Sequence, residues 1–169
     1  MKIGVFAGAF DPIHEGHIDF IVSSINKYEL DIVFVLIENE SIHKKIFASY
    51  KDRKNMVERA ISKNKKISIY ENNFKTFPIS NCLPKIKTKN PESKMYLLIG
   101  SDVAEHINSW DNAEKLFEGV DLIIANRVTG PQERLIRSGE IRNQIKKSIQ
   151  PTSLNPDVLK YIQQNRLYL

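Results

Sequence analysis

The chain of 169 residues holds a single cysteine, a single tryptophan, seven glycines and seven prolines. One thiol, Cys82, cannot close an internal disulfide, so nothing in the fold depends on an oxidising compartment. No apolar run approaches the ~18 residues of a membrane-spanning helix. The apolar stretch Ile3 to Phe10 is broken by Asp11-Pro12, is short for a secretory signal and lacks a small-residue cleavage site. A cytoplasmic protein that begins on its first strand is the expectation. Internal repeats and low-complexity tracts are missing. Charge of one sign does not dominate either, since 25 Lys+Arg against 20 Asp+Glu leave +5. That modest surplus suits an enzyme handling small polyanions. Without a reading helix or an aromatic-basic platform, neither a nucleic-acid nor a membrane partner is expected. What is present is ordinary globular material, 41% hydrophobic and 27% charged. The length suits one domain spanning residues 1–169.

Short apolar runs alternate with helical periodicity. Ile3 to Gly8 reads as a buried strand, and Ile18, Ile21, Val22 and Ile25 follow the spacing of a helix face. Asp31 to Ile37 is a second strand, rich in β-branched residues. Tyr50 to Ser62 reads as a helix with Met56, Val57, Ala60 and Ile61 inward, Lys66 to Tyr70 as a third strand, and Met95 to Gly100 as a fourth. A helical stretch closes at Leu116-Phe117 and is followed by a fifth strand, Val120 to Ala125. Ser138 to Ser148 is helical, with Ser138 as its N-cap. The last helix starts with Asn155 as N-cap and Pro156 at its first position, burying Val158, Leu159 and Ile162. Between Asn72 and Lys94 three prolines limit any helix to a short or bent one. The pattern predicts an α/β, Rossmann-like domain: a mainly parallel five-stranded sheet with helices on both faces. Ligands of such sheets sit beyond the carboxyl ends of the strands.

The loop after the first strand carries the strongest signal: Gly8-Ala9-Phe10-Asp11-Pro12-Ile13-His14-Glu15-Gly16-His17. Glycine permits close backbone approach to a ligand. Two histidines three apart on the opening turn of a helix point the same way. They also sit at the positive end of that helix, beside amides that attract anions. Imidazole donors beside bare amides make a phosphate site. A metal site is the weaker alternative, because the spacing supplies only two ligands.

This loop resembles the His-x-Gly-His signature of the nucleotidyltransferase superfamily, and within it the nicotinate-nucleotide adenylyltransferase family of bacteria. Further segments carry the same resemblance in order. Ser41-Ile42-His43-Lys44-Lys45, followed by Arg53, Met56 and Ala60, is similar to the family's Pro-Pro-His-Lys loop and its next helix. Leu98-Ile99-Gly100-Ser101-Asp102, with Trp110 beyond, is similar to its Ile-Gly-x-Asp and tryptophan segment. Ile123 to Arg127 resembles its fifth strand, Ile136 to Arg142 its Ile-Ser-Ser-Thr-x-x-Arg helix start, and Asn155 to Leu169 its C-terminal helix.

The resemblance implies transfer of the adenylyl group of ATP to nicotinate mononucleotide, with release of pyrophosphate, and Mg²⁺ bound mainly through the ATP phosphates. It implies that His14 and His17 donate to those phosphates and that the backbone of Gly8, Ala9 and Phe10 lines the nucleotide. Lys44, with Lys45 as understudy, would contact substrate phosphate. Ser138 and Arg142 would clamp pyrophosphate, while Gly100 and Asp102 would hold adenosine. Trp110 would stack on the acceptor's pyridine ring, and Arg127 would reach a phosphate. Ala9 stands where the family usually has Thr or Ser, and Arg137 and Gly139 replace its first Ser and its Thr. The connection to the last motif shrinks to Val128 to Leu135, and Phe74 to Lys87 lacks the usual Ser-Tyr-Thr signature. An adenylyl- or cytidylyltransferase acting on another phosphate acceptor, or a nucleotide-binding module without turnover, are the alternative readings.

Overall fold

The computed structural model describes residues 1–40, 45–72, 78–107, 113–125 and 137–169, the side chains of Pro78, Asp102 and Lys115 apart. In chain order the elements are β1 (Lys2–Gly8), α1 (Glu15–Tyr28), β2 (Ile32–Ile37), α2 (Tyr50–Ile61), β3 (Ile67–Ile69) and α3 (Pro78–Lys89). They continue as β4 (Lys94–Gly100), α4 (Ser101–Ala104), α5 (Ala113–Phe117), β5 (Val120–Ala125), α6 (Ser138–Lys146) and α7 (Pro156–Gln164). The strands form one sheet in the order β3-β2-β1-β4-β5. Every pair is parallel, as the alternation of strand and helix predicts.

Alternation along β1 divides the core. Phe6 faces one layer, in which Ile21 and Ile25 of α1, Met56 and Val57 of α2, Ile141 of α6 and Val158 and Ile162 of α7 are buried. Ile3 and Val5 face the other, filled by Ile79, Cys82, Leu83 and Ile86 of α3, with Leu116 and Phe117 of α5 against it. Successive strand residues point to opposite faces, so a strand covered on both sides must be apolar throughout. That is why β1, β2 and β4 read as continuous runs.

All five strands and the last helix form where the sequence places them. Asn155 caps α7, its side chain accepting from the Asp157 amide at 2.9 Å. Two local features refine the sequence reading. Helix α3, expected to be short or bent, runs 12 residues through Pro84. Pro84 lies on the exposed side, while Ile79, Leu83 and Ile86 are buried. Roughly 1.5–3 kcal/mol for each of those three side chains outweighs the ~3 kcal/mol of an interior proline. The N-cap of α6 is Arg137, and Ser138 is its first helical residue. Among the described residues no helix is long and apolar enough to cross a membrane.

Candidate active site

Chain crossovers leave β1 towards β2 on one side and bring β4 to its other side, which opens a crevice at the carboxyl end of the sheet. Gly8 ends β1 and Gly100 ends the adjacent β4. The Gly8 carbonyl accepts from the Glu38 amide at 3.0 Å, joining the exits of β1 and β2. Beyond Gly8 the chain turns sharply. Phe10 adopts a left-handed backbone with φ 50°, and the Asp11–Pro12 peptide is cis. For a bulky side chain that φ costs about 1–2 kcal/mol. Burial holds it, since the Phe10 ring meets Phe6 at 5.4 Å and His17 at 5.2 Å, both edge-on. The Phe10 side chain is therefore core, with its backbone at the exit of β1.

His14 is the N-cap of α1 and His17 lies on its first turn. Their rings stack with centroids 3.7 Å apart and planes 21° from parallel. The His14 amide donates to His17 Nδ1 at 3.3 Å. A backbone amide only donates, so Nδ1 of His17 is the acceptor nitrogen and the ring proton sits on Nε2. The expected common direction of the two imidazoles is thus observed. The expected bare amides are partly spent: Glu15 donates to the Ser153 carbonyl and His17 to the His14 carbonyl, both at 2.9 Å. The connection into α7 packs against this helix start and takes up its first donor. Burial, and then the neighbouring Asp19, hold the Glu15 carboxyl above its usual range.

Two buried charges fix the loops around the pair. Asp11 is 4% exposed. Its carboxylate accepts from the Phe47 amide at 2.7 Å, the Ala48 amide at 3.1 Å and the Tyr168 hydroxyl at 2.7 Å. Burial, reinforced by donation to Asp11, pushes the Tyr168 phenol far above its ordinary pKa. Arg53 of α2 is 0% exposed and donates to four carbonyls. Nε reaches Ala48 at 3.2 Å, one terminal nitrogen reaches Ala9 at 2.7 Å and Glu38 at 2.6 Å, and the other reaches Asn39 at 2.9 Å. The guanidinium thereby ties the β1 exit, the β2 exit and the start of α2 together. Burial lowers the Arg53 pKa, with nearby Asp11 opposing that shift.

The start of α6 leans on the same loop. Ser138 Oγ donates to the Pro12 carbonyl at 3.0 Å instead of capping its own helix. One turn on, Arg142 donates to the Asp11 carbonyl at 2.5 Å and lies 3.9 Å from the Asp11 carboxylate. Its guanidinium carbon stands 4.3 Å from the centre of the Phe47 ring. His14, His17, Ser138 and Arg142, with the backbone of Gly8, Ala9 and Phe10, are thus gathered at one end of the sheet. Gly100 closes the neighbouring strand and is the N-cap of α4, which places Asp102 inside that helix and not at its cap. Lys44, Trp110 and Arg127 lie outside the described residues, as does the Asp102 side chain. Lys45 is described, with Nζ 5.3 Å from the Phe47 ring centre. Among the described residues no three His, Cys, Asp or Glu side chains are grouped to hold a metal ion.

A family model described as cytidylyltransferase-like matches residues 5–144. The chain belongs to that family. Among the relatives of this cytidylyltransferase-like chain is "Probable nicotinate-nucleotide adenylyltransferase" of Borrelia hermsii, 31% identical, with 100% of this chain and 98% of the relative covered. A protein of the same name from Lactococcus lactis is 30% identical, with 99% and 95% covered. The fold is also that of Plasmodium falciparum nicotinic acid mononucleotide adenylyltransferase, solved in complex with NaAD. That comparison has a TM-score of 0.81 at 21% identity, covering 99% of this chain and 97% of that one.

Within this cytidylyltransferase-like chain, sequence reasoning gave no role to Asp11, Arg53, Phe47 or Tyr168. Arg53 carried a usable signal: it lies three and four residues before Met56 and Val57, on the inward face of α2, where a charge must be fully paired. Asp11 stood in the sequence only as part of the Asp-Pro pair that breaks the first apolar run. Nothing local marks Tyr168, because its partner is 157 residues away.

Proposed function

We propose that this nucleotidyltransferase moves the adenylyl group of ATP to nicotinate mononucleotide, releasing pyrophosphate and forming deamido-NAD, a step of NAD biosynthesis. End-to-end similarity to relatives bearing that activity in their names carries the reading. The geometry at the β1 exit supports it. An oxygen of the acceptor's phosphate attacks the α-phosphorus, and the bond to the pyrophosphate oxygen breaks. The nucleophile is already an anion, so no strong general base is required. Positioning of two anions and stabilisation of the leaving charge do the catalysis.

His17, with its proton on Nε2, donates to the triphosphate, and stacked His14 donates beside it. Arg142 supplies the fixed charge for the departing pyrophosphate, using a planar fork suited to phosphate oxygens. Ser138 sets the first turn of α6 against the same loop. Gly8, Ala9 and Phe10 line the nucleotide with backbone, and Gly100 with Asp102 holds the adenosine. Lys44 meets substrate phosphate and Trp110 stacks on the pyridine ring. Mg²⁺ bound through the ATP phosphates would offset their charge at this site. Residues 1–169 act as one cytoplasmic catalytic unit.

The test is pyrophosphate release measured with ATP and with CTP against nicotinate mononucleotide, nicotinamide mononucleotide and unrelated phosphate monoesters. Release with ATP and nicotinate mononucleotide above all other pairs is expected. Release only with CTP or only with another acceptor would replace the substrate assignment. Nucleotide binding without release in any pair would make the chain a binding module.

A further inference from the structure

Phe47 is a large apolar side chain that the core does not use: it is 56% exposed, in the segment between the β2 exit and α2. Hydrophobic burial does not explain why it stands there. Three contacts fix its place. Its amide donates to the buried Asp11 carboxylate at 2.7 Å, so its backbone is tied to the loop that carries His14. The guanidinium of Arg142 lies 4.3 Å from its ring centre. Lys45 Nζ lies 5.3 Å from the same centre. A guanidinium needs two constraints to hold its plane: a hydrogen bond that fixes a point, and a face that fixes the tilt. The Asp11 carbonyl supplies the first and the Phe47 ring the second. Among the described residues the carboxylate facing Arg142 is that of Asp11, at 3.9 Å, and it already takes donors from Phe47, Ala48 and Tyr168. Asp11 is thus too well satisfied to draw Arg142 out of the crevice.

We propose that Phe47 is a positioning residue: its ring face seats Arg142 so that the guanidinium fork meets the phosphates of the nucleoside triphosphate. The inference rests on the phosphate-binding role given to Arg142 above. The ring touches no substrate. It acts through the arginine, lowering the entropy that Arg142 would otherwise lose on binding. Because Phe47 is exposed, replacing it does not open a cavity.

The experiment is steady-state pyrophosphate release with ATP and nicotinate mononucleotide for Phe47→Leu, Phe47→Trp, Arg142→Ala and the Phe47→Leu/Arg142→Ala pair. Phe47→Leu keeps apolar bulk but loses the π-face. It should raise KM for ATP about three- to fivefold, the scale of an exposed cation–π contact, while KM for the acceptor holds. Phe47→Trp keeps an aromatic face and should restore most of the affinity for ATP. In the Arg142→Ala background, Phe47→Leu should add nothing. If Arg142→Ala impairs ATP use and Phe47→Leu does not, the seat is refuted and the arginine's role stands. An equal Phe47→Leu effect in both backgrounds also refutes it, because the ring then acts by another route. If Arg142→Ala leaves both kcat and KM for ATP unchanged, the phosphate role of Arg142 falls and the seat with it.

Discussion

Removing the Tyr168 hydroxyl tests how the C-terminal turn is fastened to the loop after β1. In Tyr168→Phe the ring stays and Asp11 keeps its two amide donors, but the donor at 2.7 Å is gone. A hydrogen bond to a charged group contributes about 1.5–3 kcal/mol, and with two donors left on Asp11 the lower end applies, about 1.5 kcal/mol at pH 7. The phenol's pKa in the fold lies far above its ordinary 10.0, first through burial and then through donation to Asp11. A group whose folded pKa is raised stabilises fully below its unfolded pKa and loses that contribution as pH rises beyond it. The unfolded chain begins to give up the Tyr168 proton near pH 10 while the folded chain keeps it. At pH 11 that ionisation favours unfolding by about 1.4 kcal/mol, from 1.36 kcal/mol per unit. Denaturant unfolding curves at pH 7, 9, 10 and 11 should therefore show wild type ahead of Tyr168→Phe by about 1.5 kcal/mol at neutral pH. The two should converge by about pH 11, since ionisation then cancels the hydrogen bond. A constant offset across that range would mean that the phenol is not shielded. Equal stability at pH 7 would mean that the hydrogen bond contributes nothing.

Other perturbations separate chemistry from scaffolding. His17→Ala removes the donor proposed for the triphosphate and should lower kcat by about a hundredfold or more, and near-normal turnover would remove it from the mechanism. Arg53→Met leaves the carbonyls of Ala9, Glu38, Asn39 and Ala48 without their donor, and should cost about 3 kcal/mol or more in chemical denaturation. A loss under about 1 kcal/mol would show that water replaces the guanidinium easily. Trp110→Ala should raise KM for the acceptor and leave KM for ATP unchanged, and an unaltered acceptor KM would take the tryptophan out of the site.

The three short, irregular stretches of chain that meet at the β1 exit share one design. Each contributes backbone carbonyls or amides that a strand ladder cannot satisfy, and two buried side chains of opposite character take up several of them. Asp11 collects donors and Arg53 collects acceptors. Buried charge is costly unless fully paired, so both residues are tolerated only while the loops stay where they are. Preorganisation of that kind is what a reaction between two anions needs, because the donors must stand in place before the charge develops.

Period and punctuation alone determined the strands and the parallel sheet. Unbroken apolar runs such as Ile32 to Ile37 have only one low-energy place, a sheet covered on both faces. Gly8 to His17 announced the imidazole pair at the start of α1, because residue type and spacing suffice to bring two rings together there. Tertiary structure decided the rest. Pro84 is carried within α3 by burial elsewhere on that helix, and Ser138 turns from a cap to the Pro12 carbonyl. Asp11 gathers partners 36, 37 and 157 residues away. Pairings across such distances follow from which chain segments the sheet brings together, and no local pattern encodes them.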